Sequence, residues 1–255
     1  MSESVILCEG YHDRAFWKGW LTHLGCTEPG LPGPGKSTRS RILDPWNTLV
    51  SKGQYAYHSK SGQFLRVQPC GGKSKVRDAA ELRLQERNSK PLIRLVINVD
   101  PDVRLGIPSA AVSGLRIQDV LLLAHIFDPS AVINQAGQID LDGGATKIAL
   151  IRWEATDPPG PGMPTQQTLE RLVSAALLAA YPARAKPLQD WLDSRPLPPA
   201  TDPKEHAWSH MAGWYAQYGC EAFYSNLWND PQIVSQLESR LRLSGAWQIV
   251  EAIAS

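Results

Sequence analysis

Four acidic residues are spaced so that their carboxylates could act together. The apolar run Val5–Cys8 ends in Glu9-Gly10, and Asp13 follows four residues after the glutamate. A second apolar run, Leu92–Val99, ends in Asp100-Pro101-Asp102. Each run reads as a buried strand that delivers acids to its carboxyl end. In open α/β sheets the ligand crevice lies beyond those ends, so Glu9, Asp100 and Asp102 converge if the two strands are neighbours. Converging carboxylates repel unless a cation lies between them. A hard divalent ion with oxygen ligands, Mg²⁺ or its mimic Mn²⁺, is the natural occupant.

The strand-Glu9-Gly10 unit with Asp13, followed by the strand-Asp100-x-Asp102 unit, resembles the Toprim domain. That domain is shared by topoisomerases, bacterial primases, the overcoming-lysogenization-defect nucleases and a ribosomal-RNA maturation nuclease. The resemblance covers about residues 1–155, and its kind is nearest to the overcoming-lysogenization-defect nucleases. It implies acid-base or metal chemistry for Glu9 and Mg²⁺ ligation by Asp100 and Asp102. Asp13 falls at a position the resemblance includes, as a metal ligand or a residue behind one, although an acid in the first turn of a helix is also ordinary capping. In those nucleases a lysine downstream of the aspartate pair joins the catalytic site. Lys204 is the candidate here, with Lys147 as the other choice.

The elements that must position these residues follow from periodicity. Asp13, Phe16, Trp17, Trp20, Leu21 and Leu24 carry helical spacing from about Tyr11 to Leu24, and Gly25 ends it. Phe64–Gln68 reads as a strand. Pro69-Cys70-Gly71-Gly72-Lys73-Ser74-Lys75 then leads into a helix through Val76, Ala79, Ala80 and Leu84. Strand, glycines and helix form a turn suited to phosphate, which makes Gly71, Gly72 and Lys73 candidate phosphate ligands, although a βα turn uses glycine for its backbone angles alone. Ile117, Val120, Leu121 and Ala124 mark a further covering helix. Ala131–Ile133 and Lys147–Ile151 read as strands around Asp140-Leu141-Asp142-Gly143-Gly144, where Asp-Gly favours a hairpin turn over a second metal site.

Residues 25–62 crowd Gly and Pro and show no sustained period, so they read as a surface insertion. Within it, Gly30-x-x-x-x-Gly35-Lys36-Ser37 matches the P-loop pattern literally. The context excludes that use. No buried strand precedes it, no helical pattern follows, and Pro32 and Pro34 remove N–H donors from the would-be cradle. A basic loop carrying Lys36, Arg39 and Arg41 is the better reading.

Residues 154–166 are again rich in Pro and Gly and read as a stiff connector. Beyond it come an amphipathic helix through Leu169, Leu172, Val173, Ala176 and Leu177, and a second linker, Arg195–Pro199. An aromatic stretch places Trp208, Met211, Tyr215 and Tyr218 on one helical stripe, and a final helix carries Ile233, Leu237 and Leu241. The expected architecture is α/β: a mainly parallel sheet of about four or five strands with helices on both faces in residues 1–155. Residues 156–255 add a helical C-terminal extension.

Composition narrows the partners. Lys and Arg total 26 against 25 for Asp and Glu, so no global positive field announces nucleic acid, and any basic footprint is local. Cys8, Cys26, Cys70 and Cys220 form no C-x-x-C pair, which argues against structural zinc and a disulfide framework. The N-terminal apolar run is too short for a signal core and no run reaches membrane length, so a cytoplasmic protein is expected. The leading expectation is a Mg²⁺-dependent phosphoryl-transfer enzyme on DNA or RNA, most simply an endonuclease. The alternative is a non-catalytic Toprim module that binds a nucleotide or a protein. Both readings are compatible with a homo-oligomer.

Overall fold

The computed structural model describes residues 1–29, 42–51, 53–101, 115–158, 160, 163–164, 166–194 and 219–255. Asp102, Lys204, the Gly30–Ser37 stretch and the Trp208–Tyr218 stripe lie outside the described residues. By contact the chain divides into two units. The first holds 1–99, 115–151 and 248–255; the second, among the described residues, holds Asp100, Pro101 and the stretches between 152 and 247.

The first unit is an α/β sheet. Its strands are β1 (Glu3–Cys8), β2 (Tyr55–His58), β3 (Phe64–Pro69), β4 (Leu92–Val99), β5 (Val132–Ile133), β6 (Ile139–Leu141) and β7 (Thr146–Arg152, of which Arg152 counts with the second unit). They lie in the order β2-β3-β1-β4-β7-β6-β5. β1 runs parallel to β3 on one side and to β4 on the other, with Ile6 opposite Val67 and Val96. The expectation of an α/β, mainly parallel sheet holds, and the two acid-bearing strands, whose adjacency was only a condition, lie side by side. The sheet is larger than expected because both margins continue as antiparallel pairs, β2 on β3 and β5-β6-β7 as a meander.

β2 corrects the reading of 25–62 as a featureless insertion. Tyr55-Ala56-Tyr57-His58 is a short run with β propensity, and it pairs Tyr57 against Leu65. The Gly and Pro crowded into 29–35 hid it in a wide window. The Asp142–Gly144 segment is a single 3₁₀ turn that joins β6 to antiparallel β7, as Asp-Gly chemistry predicts.

Strand pleating sends alternate residues to opposite faces. Val5, Leu7, Leu95, Ile97 and Val99 meet Val76, Ala80 and Leu84 of α2 (Lys73–Glu86) and Val120, Leu123 and Ala124 of α3 (Ile117–Phe127) in one apolar cluster. The intervening residues face α1 (Tyr11–His23), whose Phe16, Trp17 and Trp20 are fully buried. Trp17 and Trp20 stack at 5.0 Å between ring centroids. Trp17 Nε1 donates to Asn98 Oδ1 at 2.9 Å, and Asn98 Nδ2 donates to the Ile151 carbonyl at 3.2 Å. This fully buried amide therefore ties α1, β4 and β7 together near the end of β4.

The second unit is helical: α4 (Leu169–Ala180), α5 (Pro182–Asp193), α6 (Cys220–Asn226) and α7 (Pro231–Leu243), with α4 packed on α7. The 154–166 segment is more than a connector. The buried Arg171 guanidinium donates to the carbonyls of Ala155, Pro164 and Asp157, and Gln167 and Ala155 exchange two hydrogen bonds. Three backbone acceptors satisfy a buried cation here and fix the Pro-rich loop to α4. The last helix, α8 (Ala246–Ala254), was not foreseen. Its final residues belong to the first unit, where Val250 and Ile253 are buried and Lys60 N–H donates to the Ala254 carbonyl at 2.9 Å.

Candidate active site at the carboxyl ends of the central strands

Because β3, β1 and β4 are parallel and adjacent, their carboxyl ends open on one edge of the sheet. The turns that leave β1 and β3 are stitched together there. Cys70 N–H donates to the Cys8 carbonyl at 2.8 Å, and the N–H groups of Gly71 and Gly72 both donate to the Glu9 carbonyl, at 2.8 and 2.9 Å. Gly71 at φ 80° and Gly72 at φ 125° lie where side chains are rarely tolerated, so glycine is required for this strand-to-helix turn. The stitch fixes the Glu9 backbone, with its side chain half-buried at the edge.

The same hydrogen bonds correct the phosphate reading of Gly71 and Gly72. A phosphate cradle needs N–H groups that point at the ligand. Both are committed to Glu9. What stays compatible with an anion is the first turn of α2, where Gly72 supplies no side-chain cap and Lys73 and Lys75 stand.

Asp13 is the third residue of α1 and is only 6% exposed. Its Oδ2 accepts the Gly10 N–H at 2.9 Å, the acidic half of a capping box. Its charge is felt next door. Burial above all, then Asp13, the neighbouring Cys70 and Glu9, hold the Cys8 thiol well above the usual cysteine range, with Arg14 pulling the other way. Burial also pushes the Cys70 thiol up to about 11, against the pull of Arg83. Neither cysteine is poised as a thiolate nucleophile.

Asp100 follows the last residue of β4 and counts with the second unit. It is 5% exposed, and its Oδ1 accepts the Leu169 N–H at the start of α4 at 2.9 Å, beside the Thr168 cap. The other residues considered for chemistry are paired locally. Lys147 meets Asp140 at 3.4 Å, Asn134 donates to Asp140, and Arg87 holds Asp142 through two nitrogens. The second Asp-x-Asp is thus a braced hairpin turn.

Carboxylate oxygens such as those of Glu9 and Asp13 are the donor type that a hard cation takes. Among the described residues no group of three or more His, Cys, Asp or Glu side chains is arranged to hold a metal ion, and Asp102 is not among them.

Sequence reading missed three polar residues that brace the sheet, Asn98 near the carboxyl end of β4 and two arginines elsewhere. Asn98 interrupts the apolar stretch Leu95–Val99 at the buried end of β4, which was its signal. Arg66, buried in β3, bonds Glu3 and Asp44, and Arg14 on α1 bonds the Gly53 carbonyl at 2.7 Å. Neither arginine has a sequence signal that marks its role.

No helix among the described residues is long and apolar enough to cross a membrane. No family model matches the chain, and no curated protein matches it. Its fold is similar to the crystal structure of a hypothetical protein from Pyrococcus horikoshii, with a TM-score of 0.65 and 16% identity over 100% of both chains. At that identity the likeness shows the fold alone: an α/β sheet flanked by helices, with further helices at the C-terminal end.

Proposed function

We propose that this protein is a Mg²⁺- or Mn²⁺-dependent phosphoryl-transfer enzyme acting on nucleic acid, most simply an endonuclease. The observation that carries the reading is the parallel adjacency of β1 and β4, the strands that end in Glu9 and in Asp100-x-Asp102. In this reading Glu9 accepts a proton from the attacking water or holds the ion, and Asp100 and Asp102 hold the ion with Asp13 behind them. When bound, the ion supplies charge stabilisation at the scissile phosphate. The hydrogen bonds from Gly71 and Gly72 keep the Glu9 backbone from shifting as charge develops, which is the preorganisation such a base needs. Lys73 lies beside the turn as a phosphate contact, and Lys204 remains the proposed downstream lysine.

The test pairs two measurements on wild type and Glu9→Gln: Mn²⁺ binding by calorimetry, and Mg²⁺-dependent cleavage of supercoiled plasmid and single-stranded RNA. Cleavage that falls steeply in the variant while metal still binds supports the assignment. Wild-type protein that binds metal yet cuts neither substrate rejects it.

A second reading, a non-catalytic module that binds a nucleotide or a protein, draws on one specific observation. Asp13 and Asp100 already serve as acceptors at the starts of α1 and α4. Acids with a structural duty can persist where no metal is needed.

A further inference from the structure

Tyr11 is left mostly in solvent, at 62% exposure. It opens α1 two positions after Glu9. Its ring is not loose. The Arg14 guanidinium lies 4.7 Å from the Tyr11 centroid and 4.3 Å from that of Tyr55, so the cation is sandwiched between two rings. Arg14 Nη1 also donates to the Gly53 carbonyl at 2.7 Å, and the Lys18 ammonium lies 5.6 Å from the Tyr55 centroid. Tyr11 is thus a braced, exposed ring backed by fixed positive charge, at the turn that carries the candidate catalytic carboxylate.

A flat aromatic surface beside cations matches one ligand chemistry well: a nucleobase stacked on the ring, with its phosphates drawn by nearby Arg and Lys charge. Bases inside a duplex are already stacked and cannot also lie on Tyr11. We propose that Tyr11 is a stacking platform for an unpaired base, so that the substrate class of this edge is single-stranded nucleic acid. This rests on the nucleic-acid reading of Glu9 and deepens it. Tyr11 is a substrate-positioning residue here, with Arg14 as its brace.

The test uses the full chain in EDTA, so that binding is read without turnover. Anisotropy of a fluorescein-labelled oligothymidylate and of a labelled duplex is measured for wild type, Tyr11→Ala, Tyr11→Phe and Glu9→Gln, with thermal melts to confirm folding. The expected result is single-strand binding weakened about ten-fold by Tyr11→Ala and kept by Tyr11→Phe, with duplex binding weaker throughout and unchanged by either substitution. A base analogue in the strand should lose fluorescence on wild type and not on Tyr11→Ala. Equal single-strand affinity for wild type and Tyr11→Ala overturns the platform, and so does an equal loss in Tyr11→Phe, which would implicate the hydroxyl. In either case a cleavage defect in Glu9→Gln would leave the nuclease reading standing. Wild-type protein that binds no strand and cuts none removes both.

Discussion

β1 carries a glutamate at its first residue and another just past its last, and the two are treated oppositely. Glu3 is 2% exposed and is held by Arg66 through two hydrogen bonds, with Arg83 at 3.6 Å. Arg66 in turn bonds Asp44 and Gln54, closing a buried ionic network at the starts of β1 and β3. Glu9 is half-buried, and the backbone around it rather than its carboxylate takes the two glycine hydrogen bonds. A buried charge that meets a guanidinium becomes part of the fold. At the other end the Gly71 and Gly72 N–H groups anchor the Glu9 backbone, so the turn is positioned by main-chain hydrogen bonds.

The sharpest way to break this contrast is to remove the cation from the buried end. Arg66→Met leaves buried Glu3 facing only Arg83 and buried Asp44 with no guanidinium, and should cost about 3–5 kcal/mol in urea unfolding. A cost below about 1 kcal/mol would mean that water reaches this network. At the other end the effect should shift from stability to activity. Glu9→Gln should lower phosphodiester cleavage by about 10² or more if Glu9 is the general base. Its melting should stay within about 0.5 kcal/mol of wild type, as for an edge residue outside the core.

Between those extremes lies the stitch. Gly72→Ala forces a side chain onto φ 125° and should cost about 1–3 kcal/mol, although open space surrounds the position. If melting is unchanged, the turn has a second backbone solution and Glu9 is not rigidly placed. Asp100 tests which end it resembles. Asp100→Ala should cost about 1 kcal/mol through the lost acceptor for Leu169 N–H, whereas Asp100→Asn keeps an acceptor and should be nearly neutral. Metal affinity that falls in Asp100→Asn without that stability loss would place it with Glu9.

The smallest expected effect is on pH dependence. Burial alone would raise the Asp44 carboxyl, but hydrogen bonds from Thr48 N–H, Arg66 and Trp46 N–H bring it below the usual range. A depressed folded value means the stabilisation is fully present above the unfolded value of about 3.9 and is lost as pH falls through the folded one. Acid melts of Asp44→Asn should therefore show a shallower loss below about pH 4 than wild type. A parallel profile would assign acid sensitivity to other carboxylates.

The sequence by itself determined the local elements and the order in which acids follow strands. The apolar runs Val5–Cys8 and Leu92–Val99, the helical spacing from Tyr11 and the Asp-Gly turn at 142–143 each carry their own periodicity or turn chemistry, which needs no distant partner to be read. The parallel sense of the sheet followed from strand-helix alternation, whereas the adjacency of β1 and β4 was settled only by the fold. What each polar residue does was decided by tertiary structure, because a hydrogen-bond partner can lie far away in the chain. Gly71 and Gly72 look like a phosphate turn until the Glu9 carbonyl is found to take both N–H groups. Asp100 looks like a metal ligand alone until Leu169 is found donating to it, and Tyr55–His58 is hidden among glycines and prolines until β3 pairs with it. Side-chain type sets what a residue is able to do; which of those capacities is already spent is fixed only when the fold brings its partner alongside.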